Sequence, residues 1–148
     1  MAIKVLIIAG IIALIAAFAC KSTIPPDPNH LDKISFGSYG GFAGSYTEYV
    51  VLPNGKSYVK KSLRGEYSEL GSLKKRDINQ FNEILQNLKS EKYSISDPGN
   101  MTYFVRVHEH GKEPYELLWG GSNQTCDQRV VILHKSMSLL CKDNHPVM

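Results

Sequence analysis

The chain has 148 residues, a length that suits one domain, with 43% apolar and 21% charged residues. That balance supports an ordinary packed core once the first apolar segment is set aside. The formal net charge of +3 at pH 7 is too small to argue for nucleic acid, and no basic run is interleaved with aromatics, so nucleic acid is excluded as a partner.

The first twenty residues carry an address. Lys4 supplies a short positive start, and Val5 to Ala19 is an uncharged apolar run. A membrane-spanning helix needs about 20 such residues, so the run has the size of a signal-peptide core. It ends in Ala17-Phe18-Ala19-Cys20, where the small Ala17 and Ala19 fit a signal-peptidase site. With a cysteine directly after it, the segment resembles the lipobox of bacterial lipoproteins. Ala17 and Phe18 stand where leucine and a small residue are usual. The resemblance implies that Cys20 is diacylated through its sulfur, by palmitate-type chains, and becomes the new N-terminus of a protein of the bacterial cell envelope, facing the periplasm or the cell surface. Ordinary secretion, or an uncleaved anchor, is the other reading of the same residues. Each buried methylene contributes about 0.8 kcal/mol, and two or more chains anchor stably where one does not. Pro25, Pro26 and Pro28 then favour extended, hydrated backbone. Residues 1–19 therefore read as a signal peptide, 20–32 as lipidated cysteine and tether, 33–141 as a single domain and 142–148 as a frayed end.

Residues 33–38 read as a first strand, with Ile34 and Phe36 on one side. The stretch from Ser38 to Tyr46 follows, with three glycines and three aromatics in nine residues. Glycine takes positive φ and admits close backbone approach. The stretch reads either as a hairpin connection with a bulge or as a partner-binding loop anchored by Tyr39, Phe42 and Tyr46, aromatics being common interface anchors. It is not a dinucleotide fingerprint, because the glycine spacing is wrong and no helix follows. Residues 45–52 form a second strand, Pro53-Asn54-Gly55 a hairpin turn, and Lys56 to Ser62 a polar third strand suited to a sheet edge. Arg64-Gly65-Glu66 is another turn.

Residues 74–90 predict a helix, because Ile78, Phe81, Ile84, Leu85 and Leu88 recur at three- and four-residue spacing. After the Asp97-Pro98-Gly99-Asn100 turn, residues 101–109 alternate. Met101, Tyr103, Val105 and Val107 share one face, and Thr102, Phe104, Arg106 and His108 the other. Residues 114–119 return as a partner strand, and 120–124 form a loop. Residues 127–140 predict a second helix, with Val130, Val131, His134, Met137 and Leu140 inward. The expected fold is α+β: an antiparallel sheet of about five strands with two helices on one face and the other face open.

Little in the chain points to catalysis, and the reading is of a non-enzyme without cofactor or metal. His108-Glu109-His110 is the one metal-like spacing, since a strand would hold both histidines on one face about 7 Å apart; the alternative is a solvated strand end. Cys126 and Cys141 could form a disulfide in an exported protein. A continuous helix between them, about 22 Å long, opposes it, because the bridge needs Cα atoms within about 7 Å.

Ile34-Ser35-Phe36-Gly37-Ser38-Tyr39-Gly40-Gly41-Phe42-Ala43-Gly44 resembles the opening of emfourin-type inhibitors of thermolysin-like metalloproteases, with Tyr39 interrupting the match. That resemblance implies protease inhibition, with Gly40, Gly41, Phe42 and Gly44 as the contact region. The whole mature chain is also similar in layout to small uncharacterised bacterial envelope lipoproteins. The shared features are the glycine-rich opening, Thr47-Glu48-Tyr49, Pro98-Gly99-Asn100 and Trp119-Gly120. This second resemblance implies no activity. The expected function is a membrane-tethered, non-catalytic domain that binds a protease or another envelope protein. The alternatives are a purely structural envelope lipoprotein and a small metal protein using His108 and His110.

Overall fold

The computed structural model describes residues 32–143. The signal segment, Cys20 and the tether as far as residue 31 lie outside the described residues, as do residues 144–148. The elements run β1 (Lys33–Gly40), β2 (Ser45–Val51), β3 (Lys56–Lys60), β4 (Ser68–Ser72), α1 (Lys75–Ser90), β5 (Met101–His108), β6 (Tyr115–Trp119) and α2 (Gln128–Asp143). One six-stranded sheet has the order β4-β3-β2-β1-β5-β6, antiparallel at every step. The class is α+β, as expected.

The strand count of about five is corrected to six. Ser68-Glu69-Leu70-Gly71-Ser72 has no β-branched residue and a single aliphatic side chain, so its own pattern does not announce a strand. Pairing with β3 makes it one, and Leu70 then reaches the core. β3 is accordingly an interior strand, and the sheet ends at β4 and β6. The bulge expected at the glycine hairpin lies here instead, where the β3–β4 register shifts between Ser57 and Tyr58. β1 and β2 pair without interruption from Ile34–Val51 to Gly40–Ser45.

Both helices pack on one face. Ile78, Phe81, Leu85 and Leu88 of α1 and Val130, Leu133, Met137 and Cys141 of α2 join Phe36, Tyr49, Val105 and Leu117 of the sheet in one cluster. A fully buried aliphatic or phenyl side chain contributes about 1.5–3 kcal/mol by leaving water. The inner face expected for α2 is corrected. Leu133 and Cys141 belong to it, while Val131, His134 and Leu140 are half-buried. The expected helix stopped at residue 140, which cut off Cys141, one turn beyond Met137. Cys126 precedes α2 and Cys141 lies in its last turn, so the helix separates them and both thiols are free.

The face turned away from the helices is not the open polar surface that alternation predicts. Val50, Leu52 and Tyr58 pack there with Tyr67. Phe104, on the same face, is 0% exposed, with the Tyr39 ring 6.1 Å away and the Arg106 guanidinium 4.5 Å above it. Gly37 stands opposite Phe104 in the register, where a Cβ would sit 1.9 Å from the Thr47 carbonyl oxygen. Among the described residues no helix is long and apolar enough to cross a membrane.

Candidate functional site: the Phe42 hairpin and the cleft under α2

The last pair of the β1–β2 hairpin is Gly40–Ser45, which leaves Gly41-Phe42-Ala43-Gly44 as the connection. The Gly44 N–H donates to the Gly41 carbonyl at 3.0 Å, closing a four-residue turn of the kind long hairpin loops are built on. Gly44, at φ +59°, turns the chain back through the left-handed region that glycine enters freely. Gly40 has φ +110°, and its Cα lies so close to β5 that a Cβ would sit 2.1 Å from the Asn100 carbonyl oxygen. The Gly41 N–H donates to that same oxygen at 2.7 Å. The turn is therefore braced from the side, and Phe42 stands on it at 107% relative exposure.

Of the three aromatics proposed as anchors, only Phe42 is at the tip. Tyr39 and Tyr46 face each other across the ladder and are half-buried. The Tyr46 hydroxyl donates to Glu48 Oε2 at 2.8 Å, and the Tyr67 hydroxyl donates to the same oxygen at 2.9 Å. Burial, then the bond to the Glu48 carboxylate, pushes both phenols well above their ordinary range. Glu48 is thus a buried acceptor that ties β2 to the segment before β4, and the Thr47-Glu48-Tyr49 signature has a structural role.

The other two signatures meet each other. A Cβ on Gly99 would lie 2.1 Å from the Gly120 carbonyl oxygen, and one on Gly120 (φ +141°) would lie 2.1 Å from that of Met101. Asp97 holds this corner. Its Oδ2 accepts the Asn123 and Gln124 N–H groups, each at 2.9 Å, and its Oδ1 accepts Asn123 Nδ2 at 3.0 Å. The Gln124 backbone bond first, then the Asn123 side chain, hold the carboxyl below its usual range against the opposing effect of burial.

The histidine pair does not form the expected strand-face site. β5 ends at His108, and His110 lies in the following turn, where its N–H donates to Asp32 Oδ1 at 2.7 Å. The period-two rule stops applying between the two rings. His108 Nε2 is 3.3 Å from Ser35 Oγ. Among the described residues no group of three or more His, Cys, Asp or Glu side chains could hold a metal ion.

A second feature was not legible in the sequence. A cleft of about 880 Å³ opens between α2 and the sheet. His134 forms part of its wall. That ring meets Phe36, Tyr103 and Trp119 edge-on, with centroids 6.1, 5.6 and 5.3 Å away, and its Nε2 is 2.9 Å from the Gly37 carbonyl oxygen. Burial pushes its pKa down against the pull of that bond, and the Lys142 charge adds to the depression. The neutral ring donates Nε2–H to Gly37. Period 3.6 placed His134 on the inner side of its helix, but the aromatic partners come from β1, β5 and β6, which only the strand order brings together.

A scan against protein-family models found none that matches the chain, and a search of curated proteins found no match.

Proposed function

We propose that this chain is an envelope lipoprotein, anchored through Cys20, whose α+β domain binds another macromolecule at the Phe42 turn and catalyses no reaction. The observation that carries the reading is a fully exposed aromatic ring on a turn immobilised by its neighbours. Exposed phenylalanine costs solubility, and a pre-ordered aromatic anchor loses little entropy on binding. The sharpest form of the proposal is inhibition of a thermolysin-like metalloprotease, with Gly40, Gly41 and Gly44 shaping the turn and Phe42 entering an apolar subsite. A second reading, a structural envelope lipoprotein without inhibitory activity, is favoured by the bracing itself, since the close approach to Asn100 explains Gly40 and a φ of +75° explains Gly41.

The test is titration of the chain from Lys21 onward into a thermolysin-like protease with a fluorogenic peptide. The expected result is loss of activity saturating at one inhibitor per enzyme. Phe42→Ala should weaken inhibition at least about tenfold without moving the unfolding midpoint. Unchanged activity at large excess removes inhibition of that protease class. A photo-crosslinker at position 42 that captures no envelope protein in cells removes the binding reading as well. For the anchor, Cys20→Ala should release the protein from membranes, and a variant left in the pellet after a carbonate wash refutes lipidation as the tether.

A further inference from the structure

The cleft under α2 has a chemical character that the Phe42 turn does not explain. Its floor is aromatic and aliphatic, with Tyr49, Tyr103, Trp119, Val59 and Leu70. Its walls carry three cations from two sides: Lys61 follows β3, while Lys135 and Lys142 project from α2. Among the described residues no aspartate or glutamate lines it. None of the three lysines has an ion pair with a described residue. Ser38, Thr47 and Ser138 add hydroxyl groups to its lining.

We propose that this cleft binds a small organic anion with an apolar body, a monocarboxylate being the simplest member of the class. The volume lies within the range of about 300–1,000 Å³ usual for small-molecule sites, which are mostly apolar with a few placed polar groups. Complementarity of charge selects the head group. Like charges focused on a low-dielectric cleft raise the local concentration of the opposite ion, and a carboxylate meeting lysine and hydroxyl donors forms charge-assisted hydrogen bonds. The same cations exclude an ammonium head.

Trp119 is the single tryptophan of the chain and lines the cleft, so its emission reports occupancy. The full chain is held in a lipid nanodisc and titrated with octanoate, octanamide and octylammonium, with empty nanodiscs as reference. Octanoate should shift Trp119 emission saturably and bind at least about tenfold tighter than octanamide, and octylammonium should produce no saturable shift. The Lys61→Gln/Lys135→Gln double variant should weaken octanoate about tenfold and leave octanamide unchanged. These surface substitutions lie outside the packed core, and an unaltered thermal midpoint checks that the variant is folded. Equal affinity for octanoate and octanamide overturns the proposal, as does an octanoate affinity indifferent to the double substitution, or no shift at all. A saturable shift seen only in a chain ending at Asp143 would place the chain's own C-terminal residues in the cleft and overturn it too.

Discussion

Replacing Gly40 and Gly44 separately by alanine distinguishes a glycine that shapes the chain from one that only permits a turn. Gly44, at φ +59°, lies in the left-handed helical region, which a residue with a Cβ enters at about 1–2 kcal/mol. A Cβ there would meet nothing within 4 Å, so Gly44→Ala should cost that backbone term alone. Gly40, at φ +110°, lies outside that region, where strain is about 1–3 kcal/mol. Its Cβ would also sit 2.1 Å from the Asn100 oxygen. That oxygen can retreat only by giving up the Gly41 N–H, a bond with a net value of about 1 kcal/mol, and by displacing the start of β5. Gly40→Ala should therefore destabilise by at least about 3 kcal/mol, counting strain, lost bond and displacement together. Urea denaturation followed by Trp119 fluorescence reads all three variants of the turn on one scale. Phe42→Ala, with nothing buried to lose, should stay within about 0.5 kcal/mol. Equal costs at Gly40 and Gly44 would refute the bracing argument, and a Phe42→Ala cost comparable to that of a core truncation, about 3–5 kcal/mol, would refute the exposed tip.

Acid should weaken the fold through its histidines. Burial holds both His134 and His108 below the ordinary imidazole value, so the unfolded chain takes up their protons first. The stability they contribute is fully present above about pH 6.5 and is lost as pH falls from there through the depressed folded values. His134→Phe should flatten the fall of the urea midpoint over that window, leaving the share due to His108, and an unchanged slope refutes the assignment. Cys141 is fully buried and burial pushes its thiol up to about 12. In the chain from Lys21 onward, Cys126→Ser should thus react with a disulfide reagent only as fast as the protein unfolds; rapid native labelling would contradict this. Asp97→Asn should speed amide exchange at Asn123 and Gln124 by at least about tenfold, because the carboxylate that accepts both N–H groups is lost. Protection as in the parent chain would show that the corner is held elsewhere.

How much of this was legible follows from which forces are local. Alternation in residues 101–108 and the three-four spacing of Ile78, Phe81, Leu85 and Leu88 are statements about a single element's buried side, so they read directly from sequence. β4 was not legible, because Ser68–Ser72 is a strand through its partner's hydrogen bonds and one leucine. The inner face of α2 was partly legible: Val130 and Met137 lie on it, whereas Leu133 and Cys141 depend on how the helix is rotated against β1 and β4. At the hairpin, the glycines announced positive φ, but Tyr39, Phe42 and Tyr46 were indistinguishable until the register put two of them inside the ladder. The cleft could not be read at all, since Lys61 and Lys135 are 74 positions apart in the numbering and share a cavity only because β3 and α2 lie on opposite sides of it.

The bracing of the turn also bears on cleavage. A peptide is cut by a protease only as an extended segment of several residues, so a substrate loop must unravel locally before its scissile bond is in line. The turn around Phe42 is closed by the Gly44–Gly41 bond and pinned to Asn100 through Gly41, and the ladder begins immediately at Gly40–Ser45. An enzyme could take hold of the phenyl ring, yet drawing out the chain on either side would mean opening the central β1–β2 pairing of the sheet. A side chain offered in this way can be gripped without the backbone beneath it being surrendered.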